Sequence, residues 1–157
     1  PIAKALLLTG VKRAFIVHGS GLDEIALHGE TQVIEIKAGE LITSTVSPSD
    51  FGLSEYSLED IKGGTPQENA DAIKAILSGK GPNAHNAAVI INCAALLYLH
   101  DKADSLKAAA QIATDILASG KGLETLMALV DLSNSAVTDN TSITSNNVRS
   151  KNVGAKK

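Results

Sequence analysis

The sequence has no tryptophan, one cysteine, one methionine and four prolines, and aromatic residues make up only 3% of it. Without large rings, its core has to be built from Leu, Ile, Val and Ala. The lone cysteine, Cys93, has no internal disulfide partner, so the chain suits a reducing compartment, and the cytoplasm is the expected location. Neither sign of charge dominates. The formal net charge is −3 and the isoelectric point lies near 5.8, which argues against a general nucleic-acid binder with its basic face. No apolar run reaches the roughly 20 residues of a membrane-spanning helix. The longest run, from Ala87 to Leu99, is broken by Asn92, so no membrane partner is expected. The first residues show no secretory-leader pattern.

What is present reads as a globular protein. Hydrophobic residues make up 44% of the chain and charged residues 20%, in the ordinary range. The length of 157 residues suits one domain, or part of a larger one. Ile2 to Leu8 carries apolar residues on helical spacing, with Gly10 as a stop. That helix opens at Pro1 with no capping residue, and no strand precedes it. Both features predict that the βαβ unit began earlier than this sequence does.

Val11 to Val17 reads as a strand buried on both faces, because of its short apolar run Ala14-Phe15-Ile16-Val17. Thr31 to Ile36 and Leu41 to Val46 read as an antiparallel hairpin turning at Lys37-Ala38-Gly39-Glu40. A long connection with short turns follows, from Ser47 to Thr65. Thr65-Pro66-Gln67-Glu68 then has the form of a capping box and predicts a helix to about Ser78. Asn83 is the expected cap of a central, mostly buried helix from Ala84 to His100. Ser105 to Ala118 and Leu123 to Leu132 are two further helices. From Ser133 the composition turns to Ser, Thr, Asn and Lys, and residues 131–157 are expected to form a disordered polar tail.

The chemistry concentrates after the first strand. The run Ala14 to Val17 ends in His18-Gly19-Ser20-Gly21, and two carboxylates follow, Asp23 and Glu24. Beyond the C-terminal end of a central strand is where open α/β sheets bind ligands. Neighbouring carboxylates are hard oxygen ligands. They suit Mg²⁺, which takes one or two of them and leaves its remaining positions to water and substrate phosphates. The glycines let the backbone bend tightly. The plainer alternative is that Asp23 caps a helical turn and Glu24 is only solvated.

Other features have bland readings. Gly63-Gly64-Thr65 could hold a phosphate at a helix N-terminus, but a tight turn plus a cap explains it more simply. Gly79-Lys80-Gly81 and Gly120-Lys121-Gly122 look like helix stops rather than phosphate loops. His18, His28, His85 and His100 show no metal-ligand spacing. Cys93 reads as a small core residue.

Val17-His18-Gly19 followed by Gly21-Leu22-Asp23-Glu24-Ile25 resembles the strand ending in VHG and the GLDE loop of the anthranilate phosphoribosyltransferases. Asp50-Phe51-Gly52-Leu53 is similar to that family's FGL element. The stretch from Gly63 to Ala70 is similar to its GG-x-x-x-ENA segment, and Asn92-Cys93-Ala94-Ala95-Leu96-Leu97 to its Asn-x-Ala-x-Leu-Leu run. GLDE and GG-x-x-x-ENA together are far more specific than either alone. The resemblance covers about residues 1–130. It implies an α/β fold with part of a mixed central sheet flanked by helices, the large domain of the nucleoside phosphorylase/phosphoribosyltransferase fold. It also implies transfer of phosphoribose from phosphoribosyl pyrophosphate to anthranilate, in tryptophan biosynthesis, with Mg²⁺ held by Asp23 and Glu24 and a homodimer at full length. The family's GTGGD and KHGNR segments and its helical domain have no counterpart here, so the resemblance implies a C-terminal portion of the α/β domain. Two rivals remain open: a non-catalytic module of the same fold, and a related nucleoside phosphorylase, against which GLDE counts.

Overall fold

The computed structural model describes residues 1–149, with side chains described to residue 135. The described elements run α1 (Ile2–Leu8), β1 (Arg13–His18), β2 (Thr31–Lys37), β3 (Glu40–Val46), α2 (Pro66–Leu77), α3 (Asn83–Leu99), α4 (Leu106–Ala118) and α5 (Lys121–Arg149). Short 3-10 turns at Pro48–Phe51 and Glu59–Ile61 interrupt the connection between β3 and α2. The expected α/β fold, a sheet flanked by helices, is what the chain adopts.

The strands form one antiparallel sheet in the order β1-β2-β3. Its register places Val17 opposite Val33, Phe15 opposite Glu35, and Thr31 opposite Val46. The β2–β3 hairpin turns at Ala38 and Gly39, with φ of 51° and 84°. Two consecutive left-handed residues match the twist of the strands they join. Ala38 takes a conformation that is uncommon for a residue with a side chain.

The main core lies between this sheet and the helices. Phe15, Val17 and Val46 pack against a cluster that includes Ile25, Leu27, Phe51, Ile76, Ile90, Ile91 and Leu117. Alanines line the approach of α3 to α4: Ala87, Ala94 and Ala95 on one helix and Ala109, Ala110 and Ala113 on the other are all buried. Small side chains let the two helices come close, which answers the shortage of aromatics.

Caps set the helix ends. Thr65 accepts from the Glu68 amide at 3.3 Å while the Glu68 carboxylate accepts from the Thr65 amide at 2.8 Å. The expected capping box is therefore formed in full. Ser105 caps α4 by accepting from the Ala108 amide at 3.1 Å.

Three expectations need correction. β1 is only partly buried along its length, because it is an edge strand of the sheet among the described residues; an apolar run reports burial in general, not on both faces. Asn83 does not cap α3. Pro82 stands at that position, and Asn83 is the first helical residue. α5 continues to Arg149 rather than ending near Leu132. No Gly or Pro stands between Gly122 and Gly154 to stop it. Of the tail expected over 131–157, residues 150–157 lie outside the described residues.

Candidate functional site

β1 delivers His18 at its C-terminal end, and the chain then reverses within a tight turn. Gly19 and Leu22 exchange backbone hydrogen bonds, each at 3.0 Å. Ser20 and Gly21 between them have φ of 50° and 99°. Ser20 Oγ donates to the Glu30 carbonyl at 2.8 Å, and the His28 ring sits 3.2 Å from the Ser20 carbonyl through Nε2. A carbonyl only accepts, so Nε2 carries the proton there. Of the histidines considered, His28 is thus a fastener of this loop, while His18 is exposed.

After the turn the chain passes directly over Gly19. A Cβ on Gly19 would lie 2.2 Å from the Glu24 carbonyl oxygen and 2.7 Å from the Ala26 nitrogen. Only glycine fits such an approach. Asp23 and Glu24 are exposed at this crossing, and the next three residues, Ile25, Ala26 and Leu27, plunge into the core at 4%, 0% and 1% exposure. The acidic pair therefore rides on the lip of a deeply anchored segment. Ala26 N–H donates to Thr31 Oγ1 at 2.9 Å, which accounts for Thr31 being the one buried polar residue among those described. The Leu27 carbonyl accepts from the Tyr56 amide at 2.9 Å.

No ion pair engages Asp23 or Glu24 among the described residues; the salt bridges there belong to Arg13 and Lys62. Among the described residues, the Glu24 carboxylate accepts one hydrogen bond, from the Asn92 amide at 3.4 Å. Two adjacent, solvated, uncompensated carboxylates are free to take a hard divalent cation, and both are oxygen donors of the right class. No helical turn starts at Asp23, so its capping alternative is not what the chain adopts. No cluster of three or more His, Cys, Asp or Glu side chains with metal-ligand geometry exists among the described residues. A cation here would need its other ligands from water or substrate.

The remaining sequence features resolve to structure. At Gly63-Gly64-Thr65 the free amides are occupied: Gly64 N–H donates to Asn69 Oδ1 at 2.8 Å and Thr65 N–H to Glu68. That bond from the Thr65 backbone holds the Glu68 carboxyl below the usual carboxylate range. Gly79 and Gly120 take left-handed φ of 73° and 74° as helix stops. Cys93 is half-buried, and burial pushes its thiol up, which is the wrong direction for a nucleophile. Away from the acidic loop, Arg13 bonds Asp101 and Glu35 and lies over the Tyr98 ring at 5.5 Å. The hydrogen bond to Asp101 leads in raising its pKa. This network ties β1 to the end of α3. Sequence reasoning missed Asn92 and Thr31 as holders of the acidic loop. The available signal was a polar residue in the middle of the apolar run from Ala87 to Leu99.

Residues 1–123 match the model of the glycosyl transferase family, a/b domain. The chain is 74% identical over 137 residues to the anthranilate phosphoribosyltransferase of Colwellia psychrerythraea, a match covering 87% of this chain and 38% of that protein. It is 54% identical over 134 residues to the enzyme of the same name from Pseudoalteromonas translucida, covering 85% and 38%. Among solved structures, anthranilate phosphoribosyltransferase (TrpD) from Thermus thermophilus superposes with a TM-score of 0.76 at 36% identity, over 83% of this chain and 38% of that one. The Saccharomyces cerevisiae enzyme in complex with PRPP and Mg superposes with a TM-score of 0.74 at 32% identity, over the same shares. The chain thus spans 38% of the length of these relatives.

Proposed function

The chain belongs to the glycosyl transferase family, a/b domain, and from that premise we propose that it is the C-terminal portion of the α/β domain of an anthranilate phosphoribosyltransferase. In this reading residues 1–130 carry the shared fold, and 131–157 lie beyond it. The whole enzyme moves phosphoribose from phosphoribosyl pyrophosphate to the amino group of anthranilate and releases pyrophosphate, in tryptophan biosynthesis. It acts as a homodimer in the cytoplasm.

The observation that carries this reading is the pair Asp23 and Glu24, exposed and without an ion-pair partner among the described residues, on a loop held before them by the Gly19–Leu22 backbone bonds and after them at the Ile25 and Ala26 amides. The donors fit Mg²⁺, and a structure similar to this chain is of an enzyme in complex with PRPP and Mg. When bound, Mg²⁺ supplies positive charge to the departing pyrophosphate. The residues of this chain do the holding. Asp23 and Glu24 offer carboxylate oxygens, and Gly19 lets the chain cross closely enough to keep them together. Ile25 to Leu27 anchor the loop in the core. The transfer needs no covalent nucleophile, in keeping with the half-buried, raised thiol of Cys93.

The test is the loss of anthranilate fluorescence with phosphoribosyl pyrophosphate and Mg²⁺, in an enzyme that carries this chain as its C-terminal portion. Replacing both Asp23 and Glu24 by Ala is expected to lower turnover by about 10²-fold, the usual order for removing one electrostatic contact to developing charge, and to change the Mg²⁺ dependence. Identical kinetics across Mg²⁺ concentrations would exclude the metal role of Asp23 and Glu24.

A further inference from the structure

Asn92 sits in the middle of α3 and turns its side chain toward a segment 67 positions away in sequence. Its Oδ1 accepts from the Ile25 amide at 3.2 Å. Its Nδ2 donates to the Ala88 carbonyl at 3.0 Å and reaches Glu24 Oε2 at 3.4 Å. These partners fix which way the amide faces. A backbone N–H can only donate and a carbonyl can only accept, so Oδ1 must face Ile25 and Nδ2 must face Ala88. The second hydrogen of Nδ2 is thereby left for Glu24. One side chain holds both the backbone just after Glu24 and one oxygen of its carboxylate.

We propose that Asn92 is a positioning residue for the acidic pair: from α3 it sets the direction of the Glu24 carboxylate and keeps it beside Asp23 for a divalent cation. This rests on the metal role argued above. Two adjacent carboxylates repel each other when no cation is present, and an unfastened loop would let them separate. The Asn92 amide opposes that separation by giving Glu24 a neutral donor. A Lys or Arg there would compete with the cation for the carboxylate, whereas an amide orients it and leaves its charge available. Thr31 fastens the following residue through the Ala26 amide, so the loop is pinned on its core side at consecutive amides.

The proposal is tested on the full chain by NMR, with Mn²⁺ as the probe. In the wild-type chain the Ile25 amide is expected to exchange about tenfold or more slowly than those of Asp23 and Glu24, the protection of roughly one side-chain hydrogen bond. Mn²⁺ is expected to broaden the Asp23 and Glu24 resonances. Asn92→Ala should abolish the Ile25 protection and weaken Mn²⁺ binding several-fold. Asn92→Asp keeps the acceptor for Ile25 but sets an anionic oxygen against Glu24. It should therefore retain the Ile25 protection while changing the Mn²⁺ affinity, a separation that a merely structural contact would not produce. An Ile25 amide exchanging as fast as that of Glu24 in the wild type would overturn the proposal, as would equal Mn²⁺ affinity in wild type and Asn92→Ala. If Mn²⁺ leaves the wild-type resonances untouched while Ile25 is protected, the metal reading fails and the positioning role falls with it. The wild-type measurements decide even if a variant does not fold.

Discussion

A carboxylate that meets no cation within its own fold keeps its water, and Asp23 and Glu24 are such groups among the described residues. Their placement depends on the close backbone approach at Gly19. Glu24 carbonyl oxygen would stand 2.2 Å from a Cβ at that position, and this oxygen belongs to backbone that cannot swing aside. Gly19→Ala should therefore destabilise the chain by about 2–3 kcal/mol, the upper range for forced overpacking, measured by urea unfolding. A change below a few tenths of a kcal/mol would show that the loop does not cross where the structure places it. Titration adds a second residue-scale expectation. The Thr65 backbone bond holds the Glu68 carboxyl below its usual range. Its contribution is then whole above the unfolded value of about 4.3 and is lost as pH falls through the lowered folded value. Glu68→Gln should remove that part of the acid-side loss of helicity, read by circular dichroism between about pH 5 and pH 2. An unchanged acid limb would argue against the capping box.

At the scale of elements, the alanines between α3 and α4 do the work that larger residues do elsewhere. Ala94 and Ala109 are each 0% exposed, so neither has room to grow. Ala109→Leu is expected to cost about 1–3 kcal/mol, seen as a lower thermal midpoint, whereas Gln111→Leu on the exposed side of α4 should change little. Equal tolerance at both positions would contradict close packing of these helices. The same scale separates what the sequence reveals from what it hides. α2 was legible because its signal is local: Thr65, Pro66 and Glu68 occupy neighbouring positions and bond one another. The β2–β3 hairpin was legible for the same reason. The Asn83 cap was misplaced because Pro82, one residue earlier, takes the non-helical position. The half-buried state of β1 was hidden because exposure depends on what lies beside a strand, and the strand's own residues do not specify it. The site divides in the same way. Asp23 and Glu24 stood out by adjacency and by their place after an apolar strand. Asn92 did not, because its partners are Ile25 and Glu24, and nothing in the helix around it names them.

At the scale of the whole molecule, the chain carries a three-stranded sheet with β1 and β3 at its edges among the described residues. It also exposes large apolar side chains, including Leu8, Leu96, Leu129 and Leu132 at 88%, 60%, 62% and 68%. Strand edges and such surfaces favour association. Sedimentation of the 157-residue chain is expected to show a mass that rises with concentration, and a constant monomer mass would contradict this. The chain spans 38% of the length of its relatives, and within that span the proposed function rests on Asp23 and Glu24. The most direct test is calorimetric titration of Mg²⁺ with pyrophosphate into the chain and into its Asp23→Asn, Glu24→Gln double variant, which keeps shape and removes both charges. The account predicts saturable binding by the wild-type chain that is lost in the double variant. Equal binding by the two proteins would contradict it.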